Sequence, residues 1–245
     1  MSKILVIGET CRDVFCYGKA ERLCPEAPAP VFNPISTVEN PGMAMNVQRN
    51  IEALGADCDI LTNSNWEEIV KTRYIHKNTN QMFIRIDRND EEVERCDLTK
   101  MKLDEYDAVI ISDYCKGYLT EEDMHTIAKG HECVFLDTKR SIDDWCNEMT
   151  FIKINEYEYE HTRKTITPEL QKKIIVTLGS RGCEYNGKRF KVETVDIKDV
   201  TGAGDTFVAA LAVEYVKSQN IEKAIVYANQ CATKVVQKRG VNIPV

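Results

Sequence analysis

A chain of 245 residues is long enough to bury a full core, and that size suits one α/β domain. Its 32 Lys and Arg against 39 Asp and Glu leave a net charge of -7, which disfavours nucleic acid as a partner because that surface demands a basic face. Ten dispersed cysteines without a C-x-x-C pair, four histidines with no ligand spacing, and no apolar run of membrane-spanning length predict reduced thiols in a cytoplasmic protein.

In chain order, Lys3–Ile7 is an apolar run that ends at Gly8 and reads as a buried strand. Val14–Tyr17 and Val31–Val38 are β-rich and bracket the proline-dense CPEAPAP (24–30), which places them outside the main sheet. Met43–Leu54 carries Val47, Ile51 and Leu54 at helical spacing, with Gly55 as its stop and Cys58–Leu61 as the next strand. TRYIHKNTNQMFIRID (72–87) reads as two strands around an Asn-rich turn.

A repeating strand–helix pattern follows. Strands are predicted at Ala108–Ser112, Cys133–Asp137, Phe151–Ile154 and Ile174–Leu178, and helices at Thr120–Lys129, 155–160 and Thr167–Lys172. Such alternation implies a parallel sheet covered on both faces. Residues 182–193 form a hairpin pattern turning at Asn186–Gly187, and helices over 203–218 and 221–237 close the chain.

The chemistry concentrates in DVTGAGDTF (199–207). Gly202, Ala203 and Gly204 stand where a helix begins, and the first amides of a helix lack internal partners and carry partial positive charge, so they form an anion hole. An aspartate at 205 would repel a static phosphate there. Its placement suits a carboxylate that takes a proton from an attacking hydroxyl while the amides stabilise a phosphoryl group in transfer. An ordinary helix-start acid is the plain alternative. A dinucleotide fingerprint is disfavoured because its third glycine position is Phe207, and no Walker loop occurs.

DVTGAGDTF resembles the signature of the ribokinase-like (PfkB) carbohydrate kinases, and further segments agree in the expected order. TLGSRG (177–182) resembles the family's nucleotide-side turn, NEYE (155–158) its N-x-x-E motif, and NPGMAMNVQRNIEALGA (40–56) its sugar-site signature. CPEAPAPVF (24–32), residues 72–87 and SDYCKG (112–117) are similar to the kinase module of bacterial ADP-heptose synthesis enzymes. The resemblance implies a single kinase domain over 1–245. Its fold would be a three-layer αβα sandwich with a mostly parallel sheet and a small β-lid drawn from about 13–39 and 72–95. It also implies ATP and magnesium as cofactors and a sugar phosphate as substrate. A homodimer through the lid strands follows in the same way.

Site roles follow from the same resemblance. Asp205 is the expected base, with Gly202, Ala203 and Gly204 as the anion hole. Asn155 and Glu158 would support the nucleotide, Glu158 holding magnesium through water, although the same pair spells a helix capping box. Thr177, Gly179 and Gly182 shape the nucleotide turn, and Asn229 lies toward the adenine. Asp13, Gly42 and Asn46 belong to the sugar site. Lys116, Arg73 and Arg85 would hold the sugar's distal phosphate, with Asp113 either beside them or orienting the site through Lys116.

Four departures from the family pattern stand out. Met43 replaces a usual glycine, Thr138 a proline, and Lys153–Ile154 a frequent Thr-Pro pair. After Leu61 the chain passes directly to the lid strand at Thr72, where relatives carry more sheet and helix, so an abbreviated sheet edge is expected. The leading expectation is phosphorylation of the anomeric hydroxyl of D-glycero-D-manno-heptose 7-phosphate, with any later nucleotidyl transfer left to a separate nucleotidyltransferase. The alternatives are a kinase of another sugar, sugar phosphate or nucleoside, a catalytically silent sugar- or nucleotide-binding protein, and, remotely, a nicotinamide-dependent oxidoreductase.

Overall fold

The structure, a computed structural model, describes residues 2–244, with Lys100 described by its backbone alone. The chain runs β1 (Lys3–Gly8), β2 (Thr10–Lys19), β3 (Asn33–Met43), α1 (Ala44–Ala53), β4 (Asp57–Leu61), β5 (Val70–His76) and β6 (Met82–Arg88). It continues through β7 (Ala108–Asp113), α2 (Glu121–Lys129), β8 (Val134–Thr138), β9 (Phe151–Asn155), α3 (Glu156–Thr162) and α4 (Pro168–Gln171). The last elements are β10 (Ile174–Thr177), β11 (Cys183–Tyr185), β12 (Lys188–Phe190), α5 (Ala203–Ser218) and α6 (Ile221–Val235).

Eight strands form one sheet in the order β12-β11-β10-β9-β8-β7-β1-β4. From β4 to β10 every pairing is parallel, and β10, β11 and β12 pair antiparallel. Alternation along each strand splits the core. Ile4, Val6 and Ile110 pack with α1, α5 and α6 on one face, and Leu5, Ile7 and Ile111 pack with α2 on the other. From β1 the chain goes to β4 on one side and later to β7 on the other, so the strand order reverses between β1 and β7. Open α/β sheets bind ligands at the carboxyl ends of the strands beside such a reversal.

A second sheet, ordered β3-β2-β5-β6, lies over that region. Its strands β2 and β3 run longer than the β-rich segments of the sequence suggest. β3 runs through Met43, so α1 starts at Ala44, one residue later than the sequence suggests. The reason is pairing: Thr10 to Lys19 meet Met43 to Asn33 residue by residue, with one bulge at Tyr17/Gly18. Met43 takes the positive φ of 59° that glycine adopts freely, and its buried side chain packs with Cys11, Ile69, Val93 and Tyr114. β4 is the sheet edge, and the short link to β5 is pinned by buried Asn63, whose Oδ1 accepts from Thr10 N at 2.8 Å. The β5–β6 turn is tied to the C-terminal segment, with Arg239 donating to the Lys77 and Asn78 carbonyls and Asn80 to that of Lys198. All ten cysteines are free thiols, and no helix among the described residues is long and apolar enough to cross a membrane.

Candidate active site

Helix α5 begins at Gly202, whose left-handed backbone (φ 79°) turns the chain into the first helical residue, Ala203. No side chain caps this helix; Ala203 N donates to the Val200 carbonyl at 3.2 Å, and the amides that follow it in the first turn face outward from the helix start without a capping side chain. Asp205 sits in the first turn and is 7% exposed. Its Oδ2 accepts from Asn46 Nδ2 and its Oδ1 from the Tyr114 hydroxyl, both at 2.7 Å. Burial pushes this carboxyl up to about 6 against the two hydrogen bonds, and nearby Asp137 adds to the rise. At neutral pH it is an ionised, strengthened base.

Ala203 and Gly204 line a cleft of about 200 Å³ together with the turn after β10. Thr177, Gly179, Gly182 and Asn229 line the same cleft, together with apolar Val195, Ile197 and Val236. This is a slot for a flat apolar group that ends at an anion-binding helix tip. Asn229 plays a partly different part from the one the sequence suggests. Its amide donates to the Phe190 carbonyl at 3.2 Å and so ties α6 to the β12 hairpin.

Asn155 and Glu158 form the reciprocal capping box of α3: Asn155 Oδ1 accepts from Glu158 N and Glu158 Oε2 from Asn155 N, both at 2.8 Å. Glu158 Oε1 accepts from Lys139 Nζ at 2.6 Å. Both carboxylate oxygens thus already accept one hydrogen bond each. Among the described residues no group of three or more acidic, His or Cys side chains gathers as a metal site. One free oxygen does fit a hard cation: Asp137 Oδ1 is buried without a hydrogen-bond partner.

On the lid side Asp13 accepts from Arg73 Nη1 at 2.5 Å, and a methyl group on Gly42 would run into the Asp13 carboxylate. Arg73 and Arg85 stand directly opposite each other on β5 and β6. Like charges so placed repel unless an anion lies near. Arg85 forks onto Asp87 at 2.8 and 2.9 Å, and Lys116 and Lys71 both pair with Asp90. Asp113 departs from its expected role. It is fully buried, accepts from Thr138 Oγ1, Arg140 Nε and Cys115 N, and so holds its own loop instead of facing a substrate. Thr138, where the family pattern has proline, is one of those donors.

Several residues of this site receive no role from the sequence, although Tyr114 lies in SDYCKG and Lys153 stands out as a departure. Tyr114 on the β7 loop reaches Asp205. Glu9 is fully buried and accepts from the amides of Tyr114 and Lys116 at 2.9 Å, which fixes that loop. Burial and the neighbouring Asp113 hold the Glu9 carboxyl above its ordinary range. Lys139 bridges Glu158 and lies 5.7 Å from the Tyr114 ring centroid. Lys153 pairs with Asp137 at 2.8 Å beside Gly204.

The family model described as pfkB family carbohydrate kinase matches residues 47–245. The bifunctional protein HldE of Helicobacter pylori strain J99 is 31% identical over 295 residues, covering 98% of this chain and 64% of that protein. HldE of a Nitratiruptor species is 32% identical over 288 residues, with 97% and 62% covered. This chain thus spans less than two thirds of the length of these curated relatives. Ribokinase of Thermotoga maritima superposes with a TM-score of 0.72 at 19% identity, covering 98% of this chain and 95% of that one. The chain belongs to the pfkB family of carbohydrate kinases.

Proposed function

We propose that this chain transfers the γ-phosphoryl group of ATP to the anomeric hydroxyl of D-glycero-D-manno-heptose 7-phosphate, giving ADP and the 1,7-bisphosphate. The observation that carries the reading is the position of Asp205. Its helix tip borders the nucleotide cleft, while its carboxylate is bound by Asn46 from the sugar-site segment. The anomeric oxygen forms a bond to the γ-phosphorus, the bond from that phosphorus to the bridging oxygen breaks, and Asp205 takes the hydroxyl proton. The amides at Gly202, Ala203 and Gly204 stabilise the charge in transfer. Asp137 Oδ1, and Glu158 through water, would hold magnesium, which when bound neutralises phosphate charge. Any nucleotidyl transfer that follows belongs to a separate nucleotidyltransferase module.

Arg73, Arg85 and Lys116 would receive the distal phosphate. The test is phosphoryl transfer from ATP, with ³¹P resonance identifying the product, across heptose 7-phosphate, heptose and other phosphosugars. Heptose 7-phosphate is the expected best acceptor. Lys116→Ala is expected to lower kcat/KM for it by about 10–100-fold and to leave the unphosphorylated sugar unchanged, since only a charge-assisted contact is lost. Equal losses on both sugars would remove Lys116 from the phosphate site.

One observation favours another acceptor: each of these cations already has an acidic partner, namely Asp13, Asp87 and Asp90. Preferred turnover of a neutral sugar in the same screen would establish that second reading. A silent binding protein is disfavoured because an ionised buried Asp205 destabilises the fold, and without catalysis nothing would retain it.

A second copy of the chain is the proposed partner. Met82, Ile84 and Ile86 alternate along edge strand β6 and are 52%, 54% and 38% exposed, an apolar row on the outer strand of the lid. Light scattering is expected to give the dimer mass, and Ile84→Lys the monomer. A monomeric parent protein would overturn this assembly.

A further inference from the structure

We infer that Glu9 is a positioning residue that sets both hydrogen-bond donors of Asp205 and, through the same loop, the place of Lys116; this rests on the kinase reading above. Glu9 stands between β1 and β2, at the carboxyl end of β1, and is 0% exposed. Its Oε2 accepts from Tyr114 N and its Oε1 from Lys116 N, both at 2.9 Å. Its main-chain carbonyl accepts from Ala44 N, the first amide of α1, also at 2.9 Å. The two donors of Asp205 come from the same two segments. Tyr114 offers its hydroxyl from the β7 loop and Asn46 its amide from the first turn of α1, each at 2.7 Å. One residue thus pins the two pieces of chain that meet at the base.

The loop needs such a pin. Cys115 takes a φ of 58° and Gly117 one of 97°. A residue other than glycine keeps a left-handed backbone only where its surroundings impose it. Here two buried carboxylates impose it: Glu9 takes the amides on either side of Cys115, and Asp113 Oδ1 takes that of Cys115 itself at 3.2 Å. With those amides fixed, the Tyr114 ring packs beside Cys11 and Met43 while its hydroxyl meets Asp205. Lys116 pairs with Asp90, just beyond lid strand β6. A hydroxyl that donates to a carboxylate favours the ionised form, so the setting of Tyr114 decides how readily Asp205 takes a proton.

Glu9→Gln keeps the shape but offers an amino group where an acceptor is needed, so one of the two loop amides loses its partner. Glu9→Asp keeps the charge, shortens the reach by one methylene, and covers failure of the first variant to fold. The readout is the titration of the Asp205 carboxyl by ¹³C NMR in EDTA, with Asp205→Asn identifying the signal. Tyr114→Phe should raise the midpoint by about one pH unit. Glu9→Gln should raise it by about 0.5–1 unit, Glu9→Asp by less in the same direction, and Glu9→Gln added to Tyr114→Phe no further. Charge alone predicts the opposite sign, since removing a nearby negative charge lowers a carboxyl midpoint. Asp137, Lys153 and Lys139, which also face Asp205, stay unchanged, as do Asp113 and Tyr118 around Glu9. Amide exchange over residues 114–116 should quicken about tenfold or more in both Glu9 variants.

A midpoint that is unchanged or lowered in every Glu9 variant that folds would overturn the inference and leave Glu9 a stabiliser of its loop. So would additive shifts in the double variant, because Glu9 would then reach Asp205 by a route other than Tyr114. In turnover, Glu9→Gln should lower the ratio of kcat/KM between heptose 7-phosphate and heptose about tenfold as Lys116 shifts; an unchanged ratio would overturn the Lys116 half. A raised midpoint in a protein that phosphorylates no heptose 7-phosphate would support the role of Glu9 and remove the heptose reading.

Discussion

Asp205→Asn is expected to lower kcat by about 10³-fold while the affinity for ATP stays within about threefold. The substitution keeps the shape and the contacts: the new carbonyl still accepts from Asn46, and the new amide donates to the Tyr114 oxygen. What disappears is the proton acceptor. The parent enzyme should lose kcat/KM tenfold per pH unit below about 6, as Asp205 is protonated, and the variant's residual rate should be flat across that range. A parent profile that is level from pH 5 to 8 would place the base elsewhere. Stability should move the opposite way. Because burial raises the folded value from 3.8 to about 6, the folded state binds this proton more tightly than the unfolded chain. The stabilisation this gives is full below about 3.8 and is lost as pH rises through about 6. The gap corresponds to roughly 3 kcal/mol. Asp205→Asn should therefore melt at higher temperature than the parent at pH 8 and match it near pH 4. A variant less stable at pH 8 would mean that the hydrogen bonds of the carboxylate outweigh its desolvation.

The helix tip was legible in the sequence because its elements are contiguous: two glycines and an acid lie within nine residues, at the head of a helical run. The glycine-bearing turn after β10 was legible for the same reason, and Thr177, Gly179 and Gly182 line one cleft with Ala203 and Gly204. Strand positions in the main sheet were readable from apolar runs, which burial on both faces requires. The lid strands were underestimated because their exposed faces carry polar residues such as Asn33, Ser36 and Glu39, so alternation fades. The residues that were missed depend on contacts remote in sequence. Tyr114 meets Asp205 across 91 positions, and Lys153 approaches Gly204 only after β8, β9 and α5 are packed. Asp113 was misread for the same reason. Its partners Thr138 and Arg140 arrive from the next strand, 25 and 27 positions later, and convert a candidate ligand into a buried anchor.

Asp13→Asn is expected to raise the KM for the sugar about 100-fold and leave that for ATP within about twofold, since a charged group proposed to accept from sugar hydroxyls becomes a neutral one that does not line the cleft beside Gly204. The same change removes the acid that neutralises Arg73. That guanidinium is 15% exposed and lies 5.0 Å from the Phe15 ring centroid. Leaving a buried charge unpaired costs about 3 kcal/mol, so the melting temperature should fall, by more in low salt than in high. The two effects separate on different acceptors. If Asp13 only balances Arg73, both KM values should stay put while stability drops. If it binds hydroxyls, the sugar KM rises in every condition. Distal phosphate adds the sharper discrimination. Arg73 without its aspartate has more charge to offer an anion, and Arg85 stands directly opposite it. Phosphorylated acceptors should therefore suffer less from Asp13→Asn than neutral ones, and the ratio of kcat/KM between heptose 7-phosphate and heptose should increase. An unchanged ratio would put the distal phosphate outside the reach of Arg73.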